Sequence, residues 1–237
     1  MKKRMPQQIL LLSALLALIA LVAIGAPATT NYFLSTYKGK PFQDSRYHAG
    51  AQKIPGRVEC AYYDLGGEDV AYHDTDRQNN GSGALNPADG TYLNQFRMNE
   101  GVDTSYTKFH DEIDNSKYDL VQPPENQLYV GWTQPGEWFN ITVQVARAGV
   151  YDAALLYTSQ SGALISLDVN GQDATGSVTI VSTFNAADLI AWRQWHHWNL
   201  APKILHLKLP KGKSVLTVHI LAQGNMNLAY FDFTPAT

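Results

Sequence analysis

The chain has 237 residues, 45% of them hydrophobic, with one cysteine and a formal net charge of −3 at pH 7. This length suits one sizeable domain or two small ones. The acidic balance excludes the clustered basic face that a nucleic-acid partner or an anionic membrane surface requires, and a single cysteine excludes an intramolecular disulfide.

The first residues predict an export signal. Basic residues at positions 2–4 precede an apolar run over 9–24, and small residues follow at 26–28. This order is that of a secretory signal peptide. We therefore predict a signal peptide over residues 1–28 and a mature protein that is secreted, either to the periplasm or to the extracellular space. The alternative is a membrane anchor formed by the uncleaved segment, because the apolar run approaches the length of a spanning helix.

The segment after the signal peptide has no regular period. Residues 29–53 are rich in aromatic side chains and form either an ordered lead-in along the domain or a linker. Strands are predicted at 58–63 and 70–72. The stretch from 73 to 128 is rich in Asn, Asp, Gly and Pro and reads mostly as loop, and loops of this length in a compact domain usually carry function.

The second half of the chain alternates strands and turns. Over Trp138–Val145, Phe139 and every second residue after it are apolar while the residues between are mostly polar, which is the pattern of a strand with one face in a core. Asn170-Gly171 is a hairpin signal. The predicted strands are 137–146, 149–157, 163–169, 177–182, 195–199, 203–209, 214–221 and 227–233. With no helical stripe and no internal repeat, the pattern predicts one all-β sandwich domain over residues 54–237.

Five segments, in order, resemble family 6 carbohydrate-binding modules. They read IPGRVECAYYDLGGEDVAYHDTD, FRMNEGVDT, GWTQPGEW, AGVYDAALLYTS and GNMNLAYFDF, and they span residues 54 to 234. The resemblance implies a jelly-roll β-sandwich of the galactose-binding-like kind. It also implies non-catalytic binding of a polysaccharide or oligosaccharide, with a separately encoded glycoside hydrolase as a possible partner. The alternative is a secreted structural or partner-binding sandwich protein that has lost sugar recognition.

The resemblance also implies the residues of a sugar site. Phe96, with Tyr92 beside it, and Trp192 of the W-x-x-W segment would stack on the sugar, and Asn227 would hold a hydroxyl. A flat aromatic face suits the C–H patches of a pyranose ring, and its hydroxyls need fixed polar partners. Phe96 has an alternative role as a plug in a hydrophobic pocket beneath its loop. Of the neighbouring tryptophans, Trp195 is assigned to the core.

Two insertions fall beside this expected site. Residues 84–95 bring Tyr92 close to Phe96 and would widen, cap or occlude the groove. Residues 185–190 lengthen the approach to Trp192. Both would change the ligand preference relative to other members of the family.

The structural calcium that the resemblance implies is expected to be absent. Family members hold it with acidic residues on the first strand and an Asp in the closing strand. Here Glu59 remains, but Ala61 and Ala229 occupy the other positions. Calcium takes six to eight oxygen ligands, so neither a metal nor a cofactor is expected. His196 and His197 would point to opposite faces of the predicted strand 195–199 and would not share an ion.

No motif in the chain predicts catalysis. A glycosidase needs two carboxyl groups flanking one bond, and candidates exist, but the module pattern already accounts for each of their positions. The candidates are Glu59, Asp74, Asp76, Asp103 and Glu137. A nucleophile elbow, a phosphate-binding loop and a cysteine-pair motif are all missing from the sequence. We therefore expect a binding protein that is not an enzyme.

Overall fold

A computed structural model describes residues 32–237, so the predicted signal peptide lies outside the described residues. The described chain forms fifteen strands, one five-residue helix, α1 (Tyr32–Thr36), and three short 3-10 helices at Cys60–Tyr62, His110–Glu112 and Ala191–Trp195. The strands are β1 (Gln52–Ile54), β2 (Gly56–Glu59), β3 (Tyr72–His73), β4 (Ser82–Gly83), β5 (Asn86–Pro87), β6 (Thr104–Tyr106), β7 (Leu128–Val130), β8 (Trp138–Val145), β9 (Gly149–Ser159), β10 (Ala163–Val169), β11 (Gln172–Asp173), β12 (Val178–Ile180), β13 (Asn199–Leu209), β14 (Gly212–Ala222) and β15 (Met226–Pro235).

The strands form two main sheets. The first has the order β1-β8-β14-β10-β11, with β12 on β10 and β3 on β8; the second has the order β13-β9-β15-β7-β6, with β2 on β15. The six long strands β8, β9, β10, β13, β14 and β15 alternate between the two sheets along the chain. This wrapping is that of a jelly-roll sandwich, so the predicted all-β fold is confirmed.

The hydrophobic core lies between the two sheets, and the alternation of apolar residues along the strands explains which side chains enter it. Phe139, Ile141, Val143 and Val145 of β8 are all buried in one hydrophobic cluster, as their period-two spacing predicts. Turn chemistry also follows the sequence: Asn170 and Gly171 both have positive φ and join β10 to β11. The core is thus built from the alternation that was visible in the sequence.

The described part of the lead-in packs against the sandwich. It lies in the same compact unit as the strands, and β1 runs parallel to β8. Tyr37 donates a hydrogen bond of 2.7 Å to the buried carboxylate of Asp64, which also accepts bonds from Thr142 on β8. Phe42 is buried beside Phe96. Residues 32–53 therefore form an ordered lead-in to the domain.

One predicted strand is replaced by other structure, whereas the predicted loop-rich stretch is confirmed. Residues 195–199 were predicted as a strand, but the 3-10 helix ends at Trp195 and β13 begins at Asn199. The loop-rich stretch from 73 to 128 remains mostly irregular and contributes only short strands. Within residues 32–237, no helix has the length and apolar character needed to cross a membrane.

Candidate functional site

The candidate site is a pocket of about 740 Å³ formed by loops. Its volume is in the range of small-ligand sites. The 84–95 insertion, the segment 104–113, the β7–β8 loop, the 3-10 helix Ala191–Trp195 and the turn before β15 all contribute. The aromatic lining residues are Tyr106, Tyr129, Trp132, Trp192 and Trp195, and the main polar ones are Asn94, Lys108, His110, His196 and Asn225.

Trp132 reaches the pocket from a strained backbone. Its φ of 48° is left-handed, which is a rare conformation for a bulky residue. Its amide donates to Asn227 Oδ1 at 3.3 Å, and the next residue, Thr133, donates to the carbonyl of Met226. A Cβ on Gly131 would lie 2.9 Å from Asn227 Oδ1, so a glycine is needed there. Strain of this kind is found at functional sites, where the surrounding structure over-determines the conformation.

Another part of the pocket wall comes from the 3-10 helix Ala191–Trp195. Trp192 is 52% exposed, whereas Trp195 is 8% exposed. The ring of His196 lies 5.8 Å from that of Trp192, 4.3 Å from that of Trp195 and 6.4 Å from that of Trp132. The imidazole is therefore the centre of a cluster of three indoles.

A buried ion pair holds this helix in place. Arg193 donates from Nε to Asp188 Oδ2 at 2.7 Å and from Nη2 to Oδ1 at 3.1 Å. His197 lies 3.1 Å from the same carboxylate. Although burial opposes it, the hydrogen bonds from Arg193, Ile190 and His197 hold the pKa of Asp188 well below its usual range. His197 is thus committed to a structural partner.

The structure places Trp192 in the pocket but separates the other predicted site residues from it. Phe96 is only 3% exposed and packs against Phe42 and Tyr92, each with its ring centroid 5.5 Å away. Tyr92 lies near Phe96, as predicted, but donates its hydroxyl to Asp44 and lines a separate depression with Phe96. The prediction of Phe96 and Tyr92 as platforms of this pocket is corrected: the lead-in covers them, and Phe96 takes its alternative role as a hydrophobic plug.

Asn227 lies beneath the pocket wall. Its side chain is fully buried, donates to Thr158 at 3.0 Å, and lies 3.3 Å from His196 Nε2. It therefore supports Trp132 and His196 from behind, and the pocket is lined by Asn225 instead. Both residues are in the GNMN segment. Asn225 precedes β15, whereas Asn227 is the second residue of that strand, so the prediction of Asn227 as a residue of the pocket wall is corrected.

Three further lining residues come from the loop-rich stretch. Tyr106 donates its hydroxyl to Asn94 at 2.8 Å. Lys108 places its ammonium 4.1 Å from the Tyr106 ring centroid. Burial lowers the pKa of Lys108, and the carboxylate of Asp114 opposes that shift. The sequence offered only the length of this stretch as a signal, because these residues form no periodic pattern or motif.

The candidate catalytic carboxylates lie outside the pocket lining. Glu137 accepts bonds of 2.7 Å from Thr75 Oγ1 and from the Gln134 amide, which tie together two loops. Burial, followed by repulsion from Glu137 and other neighbouring carboxylates, raises the pKa of Asp74 to about 7. Burial also raises that of Asp103 to about 6. This cluster is thus an electrostatic cost at neutral pH.

The substitution Asp74→Asn should stabilise the protein at pH 8. The folded-state pKa of Asp74 is raised, so the stability contributed by its proton is present below pH 4 and is lost as the pH rises through about 7. Asparagine mimics the neutral form and keeps an acceptor for the Asp76 amide. We expect a gain on the order of 1 kcal/mol after solvent screening, and little change at pH 4. Urea unfolding at pH 8 and at pH 4 measures the change in unfolding free energy, and Glu125→Gln is the control at an exposed position. An equal change for Asp74→Asn at both pH values would contradict the raised pKa of Asp74.

The expected calcium positions are apolar. Ala61 and Ala229 are fully buried in hydrophobic clusters, and Glu59 accepts a hydrogen bond of 2.6 Å from Gln127. We therefore predict the same melting temperature in chelator as in excess calcium, since only a ligand of the native state raises stability by mass action. A calcium-dependent rise that disappears in Asp74→Asn would show instead that the 74–80 loop holds an ion.

No family model matches the chain. It is 35% identical over 91 residues to a mannan endo-1,4-beta-mannosidase B of Piromyces sp, and the match covers 35% of this chain but only 16% of that protein. Among solved structures, it is similar to a family 6 module, CsCBM6-3, from Clostridium stercorarium in complex with cellobiose, at TM-score 0.49 and 8% identity over 80% of this chain and all of that one. It is also similar to a beta-1,3-glucan-binding family 6 module from Bacillus halodurans, at TM-score 0.45 and 14% identity over 78% and 99% of the two chains.

Proposed function

We propose that the protein binds a polysaccharide or oligosaccharide in the loop pocket, as a non-catalytic module related to family 6. The observation that carries this proposal is that Trp132 and the exposed Trp192 line one pocket together with the amide groups of Asn94 and Asn225. Aromatic faces accept the C–H patches of a pyranose, and amides read its hydroxyls as donors and acceptors. The five ordered segments of the sequence and the similarity to part of a mannanase support it.

The wider biological setting is also proposed. The signal pattern of residues 1–28 supports export, with a membrane anchor as the alternative. A glycoside hydrolase encoded separately is the partner that fits a binding protein of this kind. The positions of the carboxylates support the non-catalytic reading, because Glu137 is held by loop hydrogen bonds and does not line the pocket.

A polysaccharide panel tests the proposal. The protein from residue 29 onward would be titrated by calorimetry with β-mannan, β-1,3-glucan, cello-oligosaccharides and glucuronoxylan. We expect saturable binding to at least one polymer and no new reducing ends on prolonged incubation. Reducing ends that appear with wild type and vanish in Glu137→Gln would overturn the non-catalytic assignment. Failure to bind any glycan would favour the rival reading, a partner-binding sandwich protein without sugar recognition.

A further inference from the structure

Resting on the proposed function, we infer that the pocket selects acidic sugars, with Lys108 binding the carboxylate of a uronate unit. The first observation is the charge of the side chains that line the pocket. Within residues 32–237, no carboxylate side chain lines the pocket, whereas Lys108, His110 and His196 do. The chain as a whole has a net charge of −3, so a pocket walled by cationic and neutral groups reverses the sign of the charge locally. Such a reversal favours an anionic ligand.

Lys108 has a donor to spare. Its ammonium carries three N–H donors and no acceptor. Two are taken by Ser105 Oγ and the Tyr106 carbonyl, both at 3.2 Å. In the part of the chain that the structure describes, Lys108 has no carboxylate within ion-pair distance of its ammonium. A partly buried ammonium that makes only neutral contacts is stabilised by any anion that enters beside it.

Asp114 does not neutralise this pocket by a direct contact with the ammonium. Its Oδ2 accepts from the backbone amide of Lys108 at 2.8 Å, and its Oδ1 accepts from the indole of Trp198 at 2.9 Å. The carboxylate is 1% exposed and is absent from the lining. Asp114 therefore acts on Lys108 by Coulomb attraction without a direct contact, and the ammonium of Lys108 remains the charged group of the wall.

The imidazole of His196 adds a second unpaired donor. Asn227 Oδ1 accepts from the Trp132 amide, so its Nδ2 is the donor toward His196 Nε2. The neutral ring therefore carries its proton on Nδ1. Among the described residues Nδ1 has no hydrogen-bond partner, and Asp114 Oδ1 lies 3.7 Å away. Because Nδ1 is itself covered, His196 contributes positive partial charge, and direct contact with the ligand falls to Lys108.

These groups distinguish an acidic sugar from a neutral one. A sugar hydroxyl both donates and accepts, whereas a carboxylate only accepts. A wall with a charged ammonium that has one N–H to spare is matched by the carboxylate. The indoles would still stack on the ring, so the neutral part of a uronate is bound as any pyranose would be.

A matched pair of polymers tests the inference. Glucuronoxylan and the same polymer after chemical reduction of its carboxyl groups differ only in that a carboxylate of the first is a neutral hydroxymethyl group in the second. We expect wild-type protein to bind glucuronoxylan about tenfold more tightly than the reduced polymer, since hydrogen bonds to charged groups are the stronger ones. Lys108→Met should abolish that preference, while the exposed control Lys211→Met should keep it. Melting curves check the fold of each variant.

The outcomes separate this inference from the proposed function. Equal affinity for the two polymers, or a preference that persists in folded Lys108→Met, would overturn acidic selectivity and leave glycan binding standing. If Lys108→Met does not fold, Lys108→Gln and the polymer pair on wild type decide the question. If the wild-type protein binds neither polymer of this pair and none of the neutral polymers, both the acidic selectivity and the proposed glycan binding are overturned.

Discussion

Replacing either Trp192 or the partly buried Trp132 should abolish most of the glycan binding. Trp192→Ala and Trp132→Ala are each expected to weaken binding by roughly tenfold or more, because a stacked aromatic contributes on the order of 1 kcal/mol beyond its burial. The folds should persist, since Trp192 is 52% exposed and alanine at position 132 retains the same left-handed backbone. Calorimetry with the polymer that wild type binds in the panel measures the effect.

A third tryptophan supplies the control. Trp138 begins β8, alternates with the inward-facing Phe139, and does not line the pocket. Trp138→Ala should leave the affinity of the pocket unchanged. If it weakens binding as much as Trp192→Ala does, the glycan lies on the sheet face and the pocket assignment is wrong.

Trp198→Ala should be the most damaging of the tryptophan substitutions to stability. Trp198 is fully buried, packs edge-on against Tyr129 at 5.3 Å between ring centroids, and donates its indole N–H to Asp114 at 2.9 Å. Truncation of a buried Trp typically costs about 3–5 kcal/mol, and it also leaves a buried carboxylate oxygen without that donor. Urea unfolding of Trp198→Ala and Trp192→Ala measures the difference in unfolding free energy.

Trp195 provides the sharper comparison. Trp195 is buried, as the sequence predicts, but it lies outside the main sandwich cluster and against His196 in the pocket wall. We expect Trp195→Ala to reduce binding and to cost less stability than Trp198→Ala. A larger loss of unfolding free energy in Trp195→Ala than in Trp198→Ala would contradict this expectation.

The parts of the site that the sequence predicted are those with a local signal. Trp192 was chosen because it precedes a predicted strand in a loop, and the structure places it half-exposed in the pocket. The polar anchor is a different case, because the sequence predicts Asn227, whereas Asn227 is fully buried and the pocket is lined by Asn225, which the sequence analysis does not single out. Trp132 belongs to the segment GWTQPGEW, but the sequence does not indicate its left-handed backbone. The reason is that its φ depends on contacts with Asn227 and with Met226 on β15.

The sequence by itself determined where most of the long strands lie, because the side-chain period of a strand is local, as in β8, where Phe139, Ile141, Val143 and Val145 all face the core. Only the tertiary structure decided which aromatic residues are available to a ligand. Phe96 has the right neighbours in sequence, but Phe42 of the lead-in packs over it. Lys108 has no motif and becomes notable only where loops from five parts of the chain converge. The exposure of a side chain and the pairing of its donors depend on contacts with other parts of the folded chain, and no local sequence pattern encodes them.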